Sequence, residues 1–578
     1  MAWSENDKRL GMDRPITRRN FLDGVALAIG AGAVGSFALP GMPARAEAHG
    51  SAYPPAGTGL RGHTDDAQNV MHGLRDGTFD AAGPNMATGE VYDLVVVGAG
   101  ISGLAAAFLY RQQRPEAKVL LIDPLDDFGG HAKRNEFTAS NGKTLIGYGG
   151  SQSLQTPTYF SPAVNQLMAD VGIDVTRFEE FYDQAWSDDR GLSGAVFFDA
   201  AKWGVDKLVI RNKPTPDWVA ETPLNDTAKA QLIELIDSPP DYLPGMTPEE
   251  RIAKLASITY REFLLDVCGY DSQVADFYQT STAGYFGVGI DACTALDARA
   301  NWNPGFDGMD LGEGVPKENS PSGRLALTDP DWYIYHFPDG NAGVARALVR
   351  AMIPDALPGT RMEELATGVV DYSRLDAPEN AVRIRLNSTV VKVAHDGAPD
   401  AAESVTVTYA DAGKLGTVTA SHVVLACWHR VIPYLTTEIG AEQIAALNDQ
   451  QKVPLIYANA QLRNWRAFDE LKIDSVRARG NFWHGFEIDF PVSMGDYTFA
   501  DLPRRSGRAA FQQGDGRPRP ALARAGAVGQ AATGDADLRR DGALDARPSG
   551  AGLCGHQFRP GDGYRGDHLQ PLVARLCL

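Results

Sequence analysis

Four apolar residues, Leu94 to Val97, follow one another without a polar break, the pattern of a strand covered on both faces. Shortly after comes LAAAFLYRQQ, rich in strong helix formers, and then a second unbroken apolar run, 119–122 (VLLI). Strand, helix and strand in that order predict a βαβ unit on a parallel sheet. Far downstream, 387–393 (NSTVVKV) and 405–409 (VTVTY) read as paired strands. The turn Asp411-Ala412-Gly413 follows, and 422–427 (HVVLAC) is again almost wholly apolar. The intervening body reads differently. NDTAKAQLIELIDS, TPEERIAKLASITYREFLLDVCG and GVARALVRAMI show helical spacing, and Thr247-Pro248-Glu249-Glu250 is a helix start with a Thr cap and Pro at the first helical position. The fold class is therefore α/β. An N-terminal extension (47–90) precedes a strand–helix–strand core (91–150), and a largely helical cap (151–386) is followed by strands that return to the core (387–435). Residues 436–503 read as further strands of an inserted, mixed α+β domain.

What lies between the first strand and its helix gives the core a chemistry. Gly98-Ala99-Gly100-Ile101-Ser102-Gly103 is a G-x-G-x-x-G leading straight into the helix, and the second strand ends on Asp123, about 20 residues past Gly103. Gly98 allows the tight turn, Gly100 a close approach of pyrophosphate, and Gly103 close packing of helix on strand. Ser102 sits in the first helical turn, where free N–H groups and the positive end of the helix dipole face the phosphates. Asp123 is placed to accept hydrogen bonds from an adenosine ribose. Further on come Gly129-Gly130-His131, with Lys133 and Arg134 behind, and the spacing leaves open which side chain neutralises the phosphates. Gly150 and Ser151, in 147–152 (GYGGSQ), form either another close-approach loop or a surface turn. Residues 335–343 (YHFPDGNAG) either line the cofactor site or simply open a capped helix.

Composition narrows the field. The chain has 578 residues, 44% of them hydrophobic, and a net charge of -19. That balance argues against a nucleic-acid partner and suits a cationic substrate. Thr17-Arg18-Arg19-Asn20-Phe21-Leu22, a weakly apolar run and Ala44-Arg45-Ala46 make 1–46 a twin-arginine leader, which makes the export machinery a partner and the bacterial periplasm the expected location. The five cysteines have no CxxC or CxxCH spacing, so no disulfide framework, zinc site or covalent haem attachment is expected.

The glycine pair after Asp123 resembles the extended fingerprint of FAD-binding amine oxidases, although that family usually has Arg where His131 stands. Together with the leader, YDLVVVGAGISGLAAA, DFGGHAKRNEF, GYGGSQSL, HFPDGNAGVARALV and HVVLACWHRVIPYL make the chain similar to the bacterial spermidine dehydrogenases over about 15–503. The resemblance implies a Rossmann-like FAD-binding domain of the glutathione-reductase/amine-oxidase type, with the backbone near Val391 holding the adenine. It also implies oxidation of a polyamine C–N bond by hydride transfer to the flavin. Haem, bound non-covalently, is implied as well, with His63 and His72 as candidate ligands. For the substrate, Tyr457 is a candidate aromatic wall, Asp291 and Asp297 are candidate carboxylates for a distal ammonium, and Trp483 and His484 are possible neighbours. Another flavin enzyme, desaturase-like in its substrate, and a non-catalytic nucleotide-binding remnant remain alternatives. The sequence does not reveal the electron acceptor.

From Arg504 onward the composition changes: Lys, Glu, Ile, Asn, Met and Trp vanish while Arg, Gly, Ala and Pro crowd in. Residues 557–578 back-translate into codons whose shifted frame reads as an ordinary folded segment. Residues 504–578 are therefore expected to be a non-native, disordered tail created by a frameshift near Leu502 to Arg504. In the family resembled, the segment so replaced closes over the flavin.

Overall fold

The computed structural model describes residues 53–57, 65–79, 86–139, 141–313, 317–327, 335–450, 452, 455–500 and 507–514. Strands are numbered in chain order. The apolar run at 94–97 forms the end of β1 (Met86–Val97), whose neighbours are β2 (Val119–Ile122) and β10 (Lys414–Leu425), both parallel to it. The sheet continues through β7 (Val382–Arg385), parallel to β2, and on the other side through the antiparallel meander β9 (Val405–Asp411) and β8 (Ser388–His395). Its order is β7-β2-β1-β10-β9-β8.

Both faces are covered, as the continuous apolar runs require. One face packs against α2 (Ile101–Gln113) and α3 (Ala342–Met352) through Leu94, Val96, Leu121, Leu104 and Leu348. The other carries Val95, Val97, Leu120 and Ile122 against the meander and α1 (Asp65–Arg75). Two boundaries differ from the sequence reading. β1 starts before residue 91, and the chain rejoins this sheet at Val382 rather than 387. Leu386 and Asn387, the latter at φ 53°, only turn the chain between two strands of one sheet, β7 and β8, so the apparent boundary is internal to it.

A second six-stranded sheet, order β11-β14-β13-β12-β5-β6, belongs to the inserted region. It draws β5 (Ser193–Phe198) and β6 (Lys207–Ile210) from the segment expected to be largely helical, and β11 (Leu455–Leu462), β12 (Ile473–Arg479) and β13 (Gly485–Ile488) from the one expected to form strands. Helices at Asp226–Asp237, Pro248–Ser257 and Ser272–Tyr278 build an aromatic-rich core on one face of it. The second of these opens with a full capping box on Thr247 and Glu250. Among the described residues no helix is long and apolar enough to cross a membrane.

The tail expectation needs one correction. Gly507–Gly514 is a strand, β14, seated between β11 and β13 and antiparallel to both. A slot between two strands is filled by backbone N–H and C=O groups, which every non-proline sequence supplies. The rest of 504–578, the expected leader (1–46) and the expected frameshift position lie outside the described residues.

Candidate functional site

The dinucleotide motif folds as its spacing demands. Gly98 has φ 107°, and a Cβ there would lie 2.6 Å from the Ala426 carbonyl oxygen, just past β10. A Cβ on Gly103 would overlap the Gly98 carbonyl oxygen, so the first turn of α2 closes on β1 only with glycine there. Ser102 stands exposed in that first turn. The glycine pair doubles back onto the same place. Gly129 N–H donates to Ala99 O at 2.8 Å, and Gly100 and Gly129 form a parallel bridge. Any Cβ on Gly130, at φ 61°, would lie 3.1 Å from Gly100 Cα. Two glycine backbones thus meet above the N-terminus of α2, leaving bare backbone where a pyrophosphate would lie.

Asp123 is tied to this loop more closely than its ribose role required. It is 5% exposed; Ala99 N–H donates to its Oδ2 at 2.7 Å and Leu125 N–H to its Oδ1 at 2.9 Å. Burial raises its pKa, against the pull of Lys133 and of those two amides. Each oxygen keeps a second acceptor position, so the carboxylate both fastens the loop and retains capacity for a hydroxyl.

The question of a phosphate counter-charge also has a structural answer. Lys133 is buried and donates to the Asp127 carbonyl at 2.7 Å. Arg134 is buried in ion pairs with Asp339 at 2.9 Å and Glu136 at 2.5 Å. Both side chains are taken up by protein partners, Lys133 also donating to the Phe128 carbonyl, just before Gly129, at 3.3 Å. His131 stacks on Trp428, its ring at 6.3 Å, and burial, with Lys133 and Lys452, lowers its pKa and favours the neutral ring. The helix terminus and loop amides are left to meet the phosphates.

Two loops complete the cradle. β3 (Lys133–Thr138) and β4 (Thr144–Gly149) form a hairpin, and β4 runs into Gly150, where φ is 92° and a Cβ would lie 2.8 Å from His131 O. Ser151, expected at the site, is buried against the 335–343 turn: Asn341 N–H donates to its carbonyl at 3.1 Å, and Asn341 Nδ2 reaches its hydroxyl at 3.0 Å. The turn therefore does more than open α3; it holds the close-approach loop. Among the described residues, Ser153 Oγ and Asn341 Oδ1 here are buried without a hydrogen-bond partner. Polar atoms so placed fit a site that receives a polar cofactor. At the other end, the register of β8 against β9 skips Val391 between Val390 and Lys392. This bulge leaves the Val391 backbone without a ladder partner at the residue expected to hold an adenine.

The substrate-side candidates separate. Tyr457, on β11, lies against Tyr148 of β4 with ring centroids 4.9 Å apart. Burial, Tyr457, Glu487 and Asp489 all push the Tyr148 pKa well above its usual value, so both carboxylates act on this pair. Sequence reasoning missed these two acids. Their signal was the alternation in 485–490 (GFEIDF), which sets Glu487 and Asp489 on one face of a strand. Burial, Asp489 and Asp474 raise the Glu487 pKa against the pull of Arg477.

Asp297 instead serves its own helix: Thr294 Oγ1 donates to it at 2.8 Å, and Ser320 N–H at 2.8 Å. Asp291 accepts from Gln279 at 2.5 Å within the helical layer. A short acidic side chain near a helix start is recruited first by nearby backbone and polar groups, and the acids acting on the tyrosine pair are on β13 and just after it. Trp483 is buried beside Asn481, whose Oδ1 receives the Trp483 N–H at 3.1 Å. The haem expectation gains no support. His72 is exposed on α1, His63 lies outside the described residues, and those residues hold no cluster of metal-ligating side chains.

With this geometry in place, comparisons with known proteins bear on the cofactor domain. The family model for an NAD(P)-binding Rossmann-like domain matches residues 96–171. A search of curated proteins found no match. Solved structures similar to the chain include wild-type putrescine oxidase bound to putrescine, at 17% identity and TM-score 0.40, covering 74% of this chain and 76% of that one. Cyclohexylamine oxidase from Brevibacterium oxydans matches at 16% identity and TM-score 0.38, over 73% and 75%. At these scores the likeness carries no argument about activity. The motif, its glycine contacts and the family match agree on one conclusion: the chain carries a Rossmann-like dinucleotide-binding domain, with a mixed α/β region inserted into it.

Proposed function

We propose that the protein in its intact form is an FAD-dependent oxidoreductase of the periplasm that oxidises a small cationic amine, a polyamine such as spermidine. The observation that carries this reading is the pairing of Tyr148 and Tyr457 beside Glu487 and Asp489, on the sheet joined to the cradle by the β4 strand. Asn459 of β11 makes that join, its Nδ2 donating to the Tyr148 carbonyl at 2.7 Å. Aromatic faces attract an ammonium, and carboxylates recognise one. FAD is favoured over NAD by the second glycine pair and by the bulge at Val391, which offers backbone to an adenine.

Gly98, Gly100, Gly103, Gly129 and Gly130 would hold FAD, which when bound would supply a two-electron acceptor for the hydride of the amine α-carbon, so that the C–N bond would become a C=N bond that water cleaves to an aldehyde and a shortened amine. The tyrosines position the neutral reacting nitrogen. The raised pKa of Tyr148 keeps its hydroxyl protonated, so it donates a hydrogen bond rather than takes up the proton. Glu487 and Asp489 bind the distal ammonium. The twin-arginine leader supports export after folding, and a frameshift near Leu502 would put the flavin-closing segment out of frame.

The test uses frame-repaired protein with FAD and an artificial electron acceptor. Spermidine and putrescine should reduce the dye faster than a monoamine of equal length, and Glu487→Gln should cut kcat/KM for the diamine on the order of 100-fold, about 2.7 kcal/mol, with a far smaller effect on the monoamine. Equal losses for both amines would remove the assignment of Glu487.

A further inference from the structure

Arg479, at the end of β12, is 9% exposed, and its Nε is buried without a hydrogen-bond partner among the described residues. Its guanidinium lies over the Phe277 ring at 4.7 Å and the Tyr278 ring at 5.9 Å. The backbone is pinned, because Trp203 Nε1 donates to the Arg479 carbonyl at 2.9 Å. The charged side chains that act on it are Arg477 and Arg211, both of its own sign; no described carboxylate does.

The obvious acid is already engaged. Asp276, next to Phe277 on the same helix, pairs with Lys202 at 2.9 Å and Arg261 at 3.3 Å. A guanidinium does not escape by losing its proton. Burying a lone charge costs several kcal/mol, and contact with aromatic faces offsets only part of that. Arg477 lies two residues away on the same face of β12. Arg211 follows β6, held by its N–H to Gly194 O at 2.9 Å, with its guanidinium 5.3 Å from the Trp218 ring. Trp218 stacks near-parallel on Phe277. The Arg479 and Arg211 guanidiniums therefore flank one aromatic layer, and Arg477, which also acts on Glu487, adds a third positive charge beside them.

We propose that Arg479, assisted by Arg211 and Arg477, forms a binding site for a small oxyanion, a carboxylate or phosphate group, apart from the dinucleotide cradle and independent of its cofactor. An anion there pairs the buried charge through the planar, forked donors that suit such groups.

The full-length protein is titrated with inorganic phosphate and with acetate, against sodium chloride at matched ionic strength, and followed by calorimetry and thermal unfolding. Wild type should show saturable binding and a rise in Tm beyond the chloride control. Binding of acetate as well as phosphate identifies a carboxylate-type ligand, and binding of phosphate alone a phosphoryl one. Arg479→Met should lose that response and, in anion-poor buffer, unfold at or above the wild-type temperature, because the unpaired buried charge is gone. Phosphate held at the N-terminus of α2 would persist in Arg479→Met and so is distinguishable. Should Arg479→Met not fold, the exposed pair Arg211→Gln/Arg477→Gln is expected to weaken binding at least about tenfold. A wild-type response no larger than chloride, an undiminished response in Arg479→Met, or unchanged affinity in the double variant overturns the proposal.

Discussion

Gly103 and Glu487 mark two ways a single residue commits this protein. At Gly103 the constraint is steric: any Cβ meets the Gly98 carbonyl oxygen, so Gly103→Ala must push α2 away from β1. Overpacking of this kind costs about 1–3 kcal/mol. Denaturant unfolding should show that loss, and bound flavin per chain should fall with it. At Glu487 the constraint is electrostatic. Its pKa in the folded protein lies above the usual glutamate value, chiefly through burial. The protonated carboxyl thus contributes stability that is complete below pH of about 4.3 and is lost as pH rises through the folded value. Glu487→Gln, which stays neutral, should unfold at a higher temperature than wild type at pH 8, and this advantage should vanish at pH 4. A variant uniformly less stable at both pH values would count against the raised pKa.

Elements show why part of the molecule was legible from sequence and part was not. β1, α2 and β2 announce themselves because everything that makes them is local: continuous apolar runs, glycines at fixed offsets, and an acid at the end of a strand. The meander was equally readable, and its bulge at Val391 falls where the adenine was expected. The acids beside the tyrosine pair were not readable, since Glu487 and Asp489 acquire meaning only when β13 is set in a sheet facing Tyr148, which is distant in sequence. Asp291 and Asp297 were the carboxylates that spacing offered, and spacing alone does not tell an acid engaged within the helical layer, as these are, from one set beside an aromatic pair. β14 was hidden for another reason: its composition resembles a linker, while its place is fixed by backbone pairing to β11 and β13. Ending the chain after Pro503 would leave both neighbours with open edges. Such a protein should aggregate at concentrations where the full chain stays in solution, as light scattering would show. Equal solubility would mean that β14 contributes little to the sheet.

At the scale of the whole molecule, the inserted sheet brings its tyrosine and acids to the rim of a cradle made of bare glycine backbone. The buried Arg134–Asp339 pair and the Asn341–Ser151 contacts tie the hairpin, the close-approach loop and α3 into one support for it. The central claim is that this cradle holds FAD, and one titration tests it most directly. Full-length protein is added to FAD and to NAD in turn, following flavin fluorescence in the first case and competition against FAD in the second. The expected result is saturable quenching at one FAD per chain, displaced by excess ADP and little affected by NAD. Failure of FAD to bind, or displacement by NAD at concentrations comparable to FAD, would contradict it.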